Sequence, residues 1–236
     1  RLKDVPSGRP VVMPIGTFDG IHRGHQRVLS RLRELSPARQ EGRAPVVLLS
    51  IDNRGFKHPG SGALLAPEHR LRLLEACGID YLVTLPFSEL QHLSYAAFLR
   101  RVTDHFVLAN FCASEKLRIG KDRLGTPARV KAALAHLSAI TRVEYLPSVT
   151  APGGDAPIAA SQIRLKIQEG RVDLAARLLG RPYMLEGRVL AGKRLGRKLG
   201  FPTINQVPPP GRVVPKEGVY LSRVTVAGLT RPALSF

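Results

Sequence analysis

His22 and His25 stand three residues apart in a glycine-rich stretch, and residues of this type at this spacing can do phosphate chemistry. The stretch is GTFDGIHRGH (16–25); it follows an apolar run and precedes apolar residues at helical spacing, which predicts a buried strand, a turn and a helix. Such a turn can present backbone N–H groups and a helix N-terminus to a phosphate group. Two imidazoles beside it can hydrogen-bond the charge that develops during nucleotidyl transfer. We therefore expect a nucleotidyl-transfer site on an exposed turn; the alternative is a turn with two incidental surface histidines.

The charge of the chain also points to phosphate-bearing partners. Its 236 residues include 36 Lys and Arg against 18 Asp and Glu, which gives a net charge of +18. An excess of this size predicts polyanionic partners such as nucleotides, nucleic acid or an acidic membrane surface, without choosing among them. Aromatic residues make up 6% of the chain and form no RNA-binding stacking motif, which counts against nucleic acid.

The sequence shows no pattern of a membrane span, a signal peptide or a paired-cysteine site. No apolar stretch has the length of a membrane span, and the first ten residues carry charges without the apolar region of a signal peptide. Cys77 and Cys112 have neither CxxC nor metal-ligand spacing. These features predict a reduced, cytoplasmic protein. Because the sequence begins at Arg1 rather than Met, we expect the natural N-terminus to lie upstream.

The elements that position the histidines can be predicted from the apolar pattern. Five apolar segments of strand length follow one another, at 11–15, 46–51, 81–85, 106–113 and 143–146. Helical patterns lie between most of them, including 68–77, 95–106 and 128–137. This alternation predicts an α/β fold with a parallel sheet covered by helices on both faces. Ligands of such sheets bind beyond the carboxyl ends of the strands, where the histidine turn follows the first strand.

The pattern changes near Tyr183. Residues 161–170 and 172–179 still have helical spacing, but short β-like runs with Gly and Pro follow at 187–191 and 218–226. We therefore expect two domains, an α/β domain over 1–182 and an all-β domain over 183–236. The second is small for an independent domain and is typical of the opening part of a barrel.

Several motifs in a fixed order carry a resemblance to a known family. They are GTFDGIHRGH (16–25), QIR (162–164), LLGRPY (178–183), GRV (187–189), GRKLGFPTIN (196–205) and GVY (218–220). Over nearly its whole length the chain resembles the prokaryotic bifunctional riboflavin kinase and FMN adenylyltransferase family, the FAD synthetases. The resemblance implies a Rossmann-like nucleotidyltransferase domain that joins FMN and ATP to give FAD and pyrophosphate. It also implies a C-terminal β-barrel kinase that phosphorylates riboflavin.

The resemblance also implies roles for residues of the first domain. His22 and His25 would hold the ATP phosphates in the transition state, and Arg164 would bind the triphosphate. The residues expected against the nucleotide or its phosphates are Gly16, Thr17, Phe18, Asp19, Gly24 and Ser161. Simpler alternatives remain open from the residue types: Arg164 as a solvated helix charge, Ser161 as a helix N-cap and Asp19 as the acceptor in an Asx turn.

In the second domain the resemblance implies a nucleotide site with Mg²⁺. The residues expected there are Gly192, Lys198, Pro202, Thr203 and Asn205. The Thr203 hydroxyl and the Asn205 amide oxygen are suitable hard ligands for Mg²⁺, directly or through water. The basic cluster around Lys198 predicts either a solvated loop or a flap over nucleotide phosphates. The family's catalytic Glu lies further downstream, so we expect the kinase to be incomplete within these residues.

Three segments depart from the family's pattern. Ala159 and Ala160 stand where the family has paired serines. The aromatic-rich segment that follows the family's second strand is not recognisable at 51–55, and Lys116 replaces an Asp in a segment whose two aromatics are aliphatic here. The last two of these segments shape the flavin and adenine pockets in the family.

Two hypotheses of different classes follow. The main one is an enzyme, an FMN adenylyltransferase that uses ATP, FMN and Mg²⁺, and it is favoured by the presence of His22, His25 and Arg164. The alternative is a catalytically weakened flavin- or nucleotide-binding regulatory protein that contacts RNA through its excess of Lys and Arg. The missing serines and aromatics favour that alternative.

Overall fold

The structure is a computed structural model that describes residues 5, 8–36, 42–52, 62–137, 142–151, 153–192, 195–198, 200–201 and 203–236. In chain order its elements are β1 Val11–Gly16, α1 Arg23–Leu35, β2 Val47–Asp52, α2 Pro67–Ala76, β3 Tyr81–Pro86, α3 Phe87–Leu90, α4 Tyr95–Thr103, β4 Leu108–Ser114, α5 Pro127–Leu137, β5 Arg142–Leu146, α6 Ala160–Gln168, α7 Val172–Leu179, β6 Arg188–Leu190, α8 Leu195–Lys198, β7 Asn205–Val207, β8 Tyr220–Val226 and β9 Leu229–Ser235.

The first five strands form one parallel sheet in the order β3-β2-β1-β4-β5. The expected parallel sheet is therefore confirmed. The chain moves outward from β1 to β2 and β3, then crosses over to β4 on the other side of β1. The carboxyl end of β1 consequently lies at the topological switch point, where open α/β sheets bind their ligands.

Helices cover both faces of this sheet, as the alternating pattern predicts. Because successive side chains of a strand point to opposite faces, Met13 and Val12 enter different cores. Met13 packs with the apolar residues of α4 and α5, whereas Val12 packs with those of α1 and with Leu74 of α2. Helices packed on both faces thus hold β1 in place, and with it the start of the turn that follows β1.

The helix expected over 95–106 is shorter than the apolar spacing predicts. It ends at Thr103, and Phe106 lies in the loop that leads into β4. Phe106 is nevertheless buried in the same core as Phe98 and Val102, and its N–H donates to the Val102 carbonyl over 3.0 Å. The apolar spacing over 95–106 therefore predicted the buried residues correctly, but the last of them, Phe106, is a loop residue and not a helix residue.

Helices α6 and α7 build a third core beyond the sheet. Ile163 and Ile167 of α6 pack with Leu178 of α7, with Leu64 and with Val213. Helix α7 ends at Gly180, whose φ of 75° is the left-handed conformation that closes many helices. Because Val213 belongs to this core, the domain boundary expected at 182/183 stays a prediction.

The C-terminal part contains two antiparallel ladders, β6 with β7 and β8 with β9. This agrees with the expected all-β character, although the sequence pattern missed β7 and β9. Both ladders are exposed, and the Leu221 side chain of β8 is 91% accessible. Strands this short or this exposed carry little apolar alternation, which is why the sequence did not indicate them.

Two further expectations concern the whole chain. Within the described ranges no helix is long and apolar enough to span a bilayer. Cys77 and Cys112 are both free thiols. The cytoplasmic location stays a prediction.

Candidate functional site

The turn of residues 17–22 leaves β1 at the switch point and enters α1. Gly16, the last residue of β1, lies opposite Ser50 of β2, and α1 begins at Arg23 with His22 as its N-cap. His25 is the third residue of that helix, so both histidines lie at its first turn. The expected position at the carboxyl end of a strand is therefore confirmed. Because the first N–H groups of a helix have no partner inside it, the start of α1 is a natural place for an anion.

The backbone of this turn adopts conformations that ordinary residues avoid. Phe18 and Ile21 have φ of 47° and 42°, and Gly20 between them has φ of 81°. A left-handed conformation at a non-glycine residue costs about 1–3 kcal/mol, and such residues cluster at functional sites. The Phe18 and Ile21 side chains are buried, which holds the two residues in these conformations. Gly20 is also required for space, because a Cβ there would lie 2.7 Å from Leu64 Cδ1.

Two side chains from other parts of the chain hold the carbonyl groups of the turn. Arg181 donates from Nη2 to the Gly20 carbonyl over 2.6 Å and from Nη1 to the Ile21 carbonyl over 3.0 Å. Gln26 donates from Nε2 to the Ile21 carbonyl over 2.9 Å and to the Leu179 carbonyl over 2.8 Å. The turn is therefore fixed to the end of α7 as well as to its own helix. Sequence reasoning missed both residues in this role, because the partners of Arg181 lie 160 and 161 positions away.

The two imidazoles form a stack. Their ring centroids are 3.7 Å apart with an interplanar angle of 21°, and the Phe18 ring lies 4.7 Å from that of His25. His22 is only 6% exposed, so the expectation of an exposed turn is wrong. The buried Phe18 and Ile21 side chains hold the turn against the protein, so that the His22 ring is buried and His25 is half-buried. The Nδ1 atoms of both histidines are buried without a hydrogen-bond partner among the described residues.

Burial and neighbouring cations keep both imidazoles neutral. Burial and, to a smaller degree, the Arg181 charge lower the pKa of His22 from 6.5 to about 4. Burial, His22 and Arg70 lower the pKa of His25 well below 6.5. A neutral imidazole has one N–H donor and one acceptor nitrogen. The pair can therefore donate hydrogen bonds near neutral pH without carrying charge in the ligand-free protein.

Arg70 of α2 brings a second guanidinium to this turn. Its Nη2 donates to the Thr17 carbonyl over 2.9 Å and to Ser50 Oγ over 2.5 Å. Ser50 is fully buried and lies at the carboxyl end of β2. Positive charge from Arg70 of α2 and from Arg181, which follows the C-cap of α7, therefore converges on the histidine pair. Nothing in the local sequence around Arg70 indicates this role, since the contact depends on how α2 packs on the sheet.

Asp19 and Arg164 are brought together across the fold by an ion pair. Asp19 Oδ1 also accepts from the Leu64 N–H over 3.2 Å, and Arg164 Nε donates to the Gly62 carbonyl over 2.9 Å. Arg164 is 16% exposed in its side chain, so it is not a solvated helix charge. The Asp19 carboxylate is bound to distant partners and not to an Asx turn. The pair places a held guanidinium beside the turn that carries the histidines.

Ser161 occupies the second position of α6 and is exposed. The N-cap of this helix is Ala159, so the alternative that Ser161 caps the helix is wrong. Its hydroxyl lies in the same helical turn as Arg164, where it can face a phosphate held by that guanidinium. Ala159 and Ala160 supply no side-chain donor here, in agreement with the departure noted in the sequence.

Gly24 is needed for the position of His22. A Cβ at Gly24 would lie 3.1 Å from His22 Cε1 and 3.2 Å from its Nδ1. Gly16 plays a similar part for Phe18, since a Cβ there would be 3.0 Å from Phe18 Cε2. Both glycines therefore make room for rings, in addition to any close approach of a ligand.

Of the residues expected at the second site, Gly192 and Asn205 lie at one end of the β6–β7 ladder. Thr203 and Asn205 are both exposed, and a Cβ at Gly192 would collide with Asn205 Nδ2. Gly192 and Asn205 are thus in direct contact, while the Thr203 hydroxyl lies against Gly196. Lys198 is exposed at the end of α8, and Pro202 lies outside the described residues. Within the described part of the chain, no three His, Cys, Asp or Glu side chains form a metal cluster.

A parallel sheet of this strand order, with a neutral histidine pair at the switch point, defines an α/β domain of the nucleotidyltransferase type. The FAD synthetase family model matches residues 5–154, and the riboflavin kinase model matches residues 179–235. The chain belongs to the FAD synthetase family. The resemblance seen in the sequence is therefore confirmed.

Individual relatives agree with this assignment. The bifunctional riboflavin kinase/FMN adenylyltransferase of Pseudomonas fluorescens is 35% identical over 235 residues, which cover 98% of this chain and 73% of the relative. That of Escherichia coli (strain K12) is 32% identical over 228 residues, which cover 92% of this chain and 68% of the relative. A crystal structure described as a macrolide-efflux protein from Streptococcus pneumoniae superposes with a TM-score of 0.86 at 27% identity and covers 99% of this chain and 75% of that one.

Proposed function

We propose that this chain is an FMN adenylyltransferase that transfers AMP from ATP to FMN and releases pyrophosphate, so that FAD is the product. The observation that carries the proposal is the stacked, neutral pair His22 and His25 at the start of α1, in a chain of the FAD synthetase family. We place this activity in residues 1–182. The family models and the relatives do not favour the alternative of a regulatory flavin- or nucleotide-binding protein.

The reaction needs position and charge stabilisation more than acid–base chemistry. A phosphate oxygen of FMN attacks the α-phosphorus of ATP in line, a new P–O bond forms, and the bond between the α-phosphorus and the bridging oxygen breaks. The electron pair of that bond leaves with pyrophosphate. Negative charge shifts to the leaving oxygens, and donors that are already oriented stabilise it without reorganising. No covalent intermediate with the protein is needed.

The histidines would supply the oriented donors. Each neutral imidazole can donate one hydrogen bond to a phosphate oxygen, and the stack with Phe18 keeps both rings in place. The N–H groups at the start of α1 would hold the same phosphates. Arg164 would bind the triphosphate from the other side, with Ser161 beside it, while Asp19 and the Gly62 carbonyl hold the guanidinium in place.

The two proposed sites differ in the oxygen ligands that their side chains could offer to Mg²⁺. At the histidine site the described residues supply no cluster of acidic ligands, so Mg²⁺ would be held mainly by the ATP phosphates and water, where it neutralises phosphate charge. At the second site the oxygens of Thr203 and Asn205 are the hard ligands that Mg²⁺ prefers. We propose that residues 183–236 contribute this nucleotide site, with Gly192, Lys198 and Pro202, to riboflavin phosphorylation.

The test of the main proposal is FAD formation from FMN and ATP with Mg²⁺, followed by chromatography of the flavins. His22→Asn and His25→Asn each replace the ring by a shorter amide, and each should lower kcat by about two to three orders of magnitude. His92→Asn, at an exposed histidine, is the matched control and should keep the wild-type rate. Circular dichroism checks that the variants fold, because the His22 ring is buried and His25 is half-buried. Wild-type rates in the two site variants would refute the assignment.

A further inference from the structure

Residues 211–213 lie in the part of the chain matched by the riboflavin kinase model, yet they pair with a segment beside the histidine turn. We call residues 211–213 the strap and residues 62–64 the receiving segment. The Ala63 N–H donates to the Gly211 carbonyl over 2.7 Å, and the Val213 N–H donates to the Ala63 carbonyl over 3.2 Å. The two segments thus form a short parallel bridge about 150 positions apart in sequence.

The other side of the receiving segment contacts the proposed adenylyl-transfer site. The Gly62 carbonyl accepts from Arg164 Nε over 2.9 Å, and the Leu64 N–H donates to Asp19 Oδ1 over 3.2 Å. The Leu64 side chain closes against Gly20 in the strained turn, where a Cβ would be 2.7 Å from Leu64 Cδ1. Three residues therefore connect the strap directly to the Asp19–Arg164 ion pair.

The strap is itself held firmly, so it can act as a support. Val213 is 2% exposed and packs with Leu64 and the apolar residues of α6 and α7. Its carbonyl accepts from the Tyr183 hydroxyl over 2.6 Å, and Arg212 Nη2 donates to the Met184 carbonyl over 3.1 Å. The contact with the receiving segment is close, since a Cβ at Gly62 would lie 2.9 Å from the Arg212 carbonyl carbon.

The backbone of the receiving segment is held from two sides. Residues 62–64 belong to no helix or strand, and their backbone hydrogen bonds go to the strap on one side and to Asp19 and Arg164 on the other. Leu64 keeps its buried contacts in the third core, but loss of the strap would remove both backbone hydrogen bonds of Ala63, and a shift of Gly62 would move the Arg164 side of the ion pair. A displacement of about 1 Å at a positioning group can cost on the order of a hundredfold in rate.

We infer that the strap, through Val213, is a positioning element of the adenylyl-transfer site, so that a segment of the kinase-matched part sets the geometry of Arg164 and Asp19. The inference rests on the proposed function. It predicts coupling in both directions, because a ligand that binds Arg164 must stabilise the strap as much as the strap stabilises its binding.

Substitution of Val213 tests the coupling through activity. Val213→Ala should lower kcat/KM for ATP about tenfold or more, whereas Val214→Ala at the neighbouring, 52% exposed valine should leave it unchanged. Val213→Ile keeps the buried contact and should retain most of the activity. In an Arg164→Ala background Val213→Ala should have almost no further effect, because both changes act on the same guanidinium.

Hydrogen exchange tests the same coupling in the unmodified chain. With Mg²⁺ and ATP at ten times its Kd, and no flavin, exchange of the Ala63 and Val213 amides should slow about tenfold. Unchanged exchange with saturating ATP would overturn the inference even if Val213→Ala fails to fold. If Val213→Ala lowers kcat/KM for ATP by the same factor with and without Arg164, the inference is also overturned, because such a loss indicates a general effect on stability. If the wild-type chain forms no FAD, the proposed function fails, and the exchange experiment still decides on the strap.

Discussion

Acidification should destabilise the ligand-free chain through His22. The ring is buried, stacked on His25 and close to the Arg181 charge, and its pKa is lowered to about 4 from 6.5. The unfolded chain therefore binds the proton more readily than the folded chain does. The stability that comes from the neutral ring is present in full above pH 6.5 and is lost as the pH falls towards 4.

The size of the effect follows from the difference between the two pKa values. Linkage converts a fall from 6.5 to about 4 into about 3 kcal/mol of unfolding free energy, of which about 2 kcal/mol is lost by pH 5. Domains of this kind have total stabilities of roughly 5–15 kcal/mol. Protonation of this single ring is therefore a large perturbation.

Urea denaturation between pH 7.5 and pH 5 measures the effect. The difference in unfolding free energy between the wild-type chain and His22→Gln should change by about 2 kcal/mol over this range, in favour of the variant at low pH. His92→Gln, at an exposed histidine outside the site, is the control for the loss of one histidine. His25 and His69, whose pKa values are also lowered by burial, remain in all three proteins and contribute to each curve.

Two results would refute the reasoning. Parallel pH curves for the wild-type chain and His22→Gln would show that His22 titrates in the folded chain as it does in the unfolded chain. An inflection near pH 6.5 in the NMR titration of the His22 ring would show the same directly. Either result would remove the argument that the pair is neutral before ATP binds.

Two further substitutions test the geometry of the turn. Gly24→Ala places a Cβ 3.1 Å from His22 Cε1 and should lower kcat about tenfold. The free energy of unfolding should stay the same or rise, because Ala favours the helix. Ser30→Ala on the exposed side of α1 is the control, and full activity in Gly24→Ala would contradict the assigned position of the His22 ring. Asp19→Asn removes the ion pair with Arg164 and should raise KM for ATP about tenfold, with a smaller effect on KM for FMN. Steady-state kinetics with each substrate varied in turn measure both constants. Equal KM values in the variant and the wild-type chain would contradict the role of the ion pair.

The local architecture of the α/β part could be predicted from the amino-acid sequence. Strands such as β1 and β4 are buried on both faces and therefore appear as continuous apolar runs, and α1 shows its buried face as a repeat of apolar residues at helical spacing. Both patterns are local, so the parallel sheet and the place of the histidine turn could be predicted. The motif at 16–25 indicated phosphate chemistry for the same reason, because its residues are neighbours in the chain.

The burial and the charged neighbours of the histidine pair depend on contacts between distant parts of the chain. The expectation of an exposed turn was wrong. The burial of His22 depends on the inward-facing side chains of Phe18 and Ile21 and on Arg181, which contacts the turn from the end of α7. Arg164 meets Asp19 across 145 positions, and Arg70 reaches Ser50 only because α2 packs beside β2. Spacing in a sequence reports which residues share a face of one element. It does not report which faces meet, and the protonation state of a ring depends on all the groups that surround it in space.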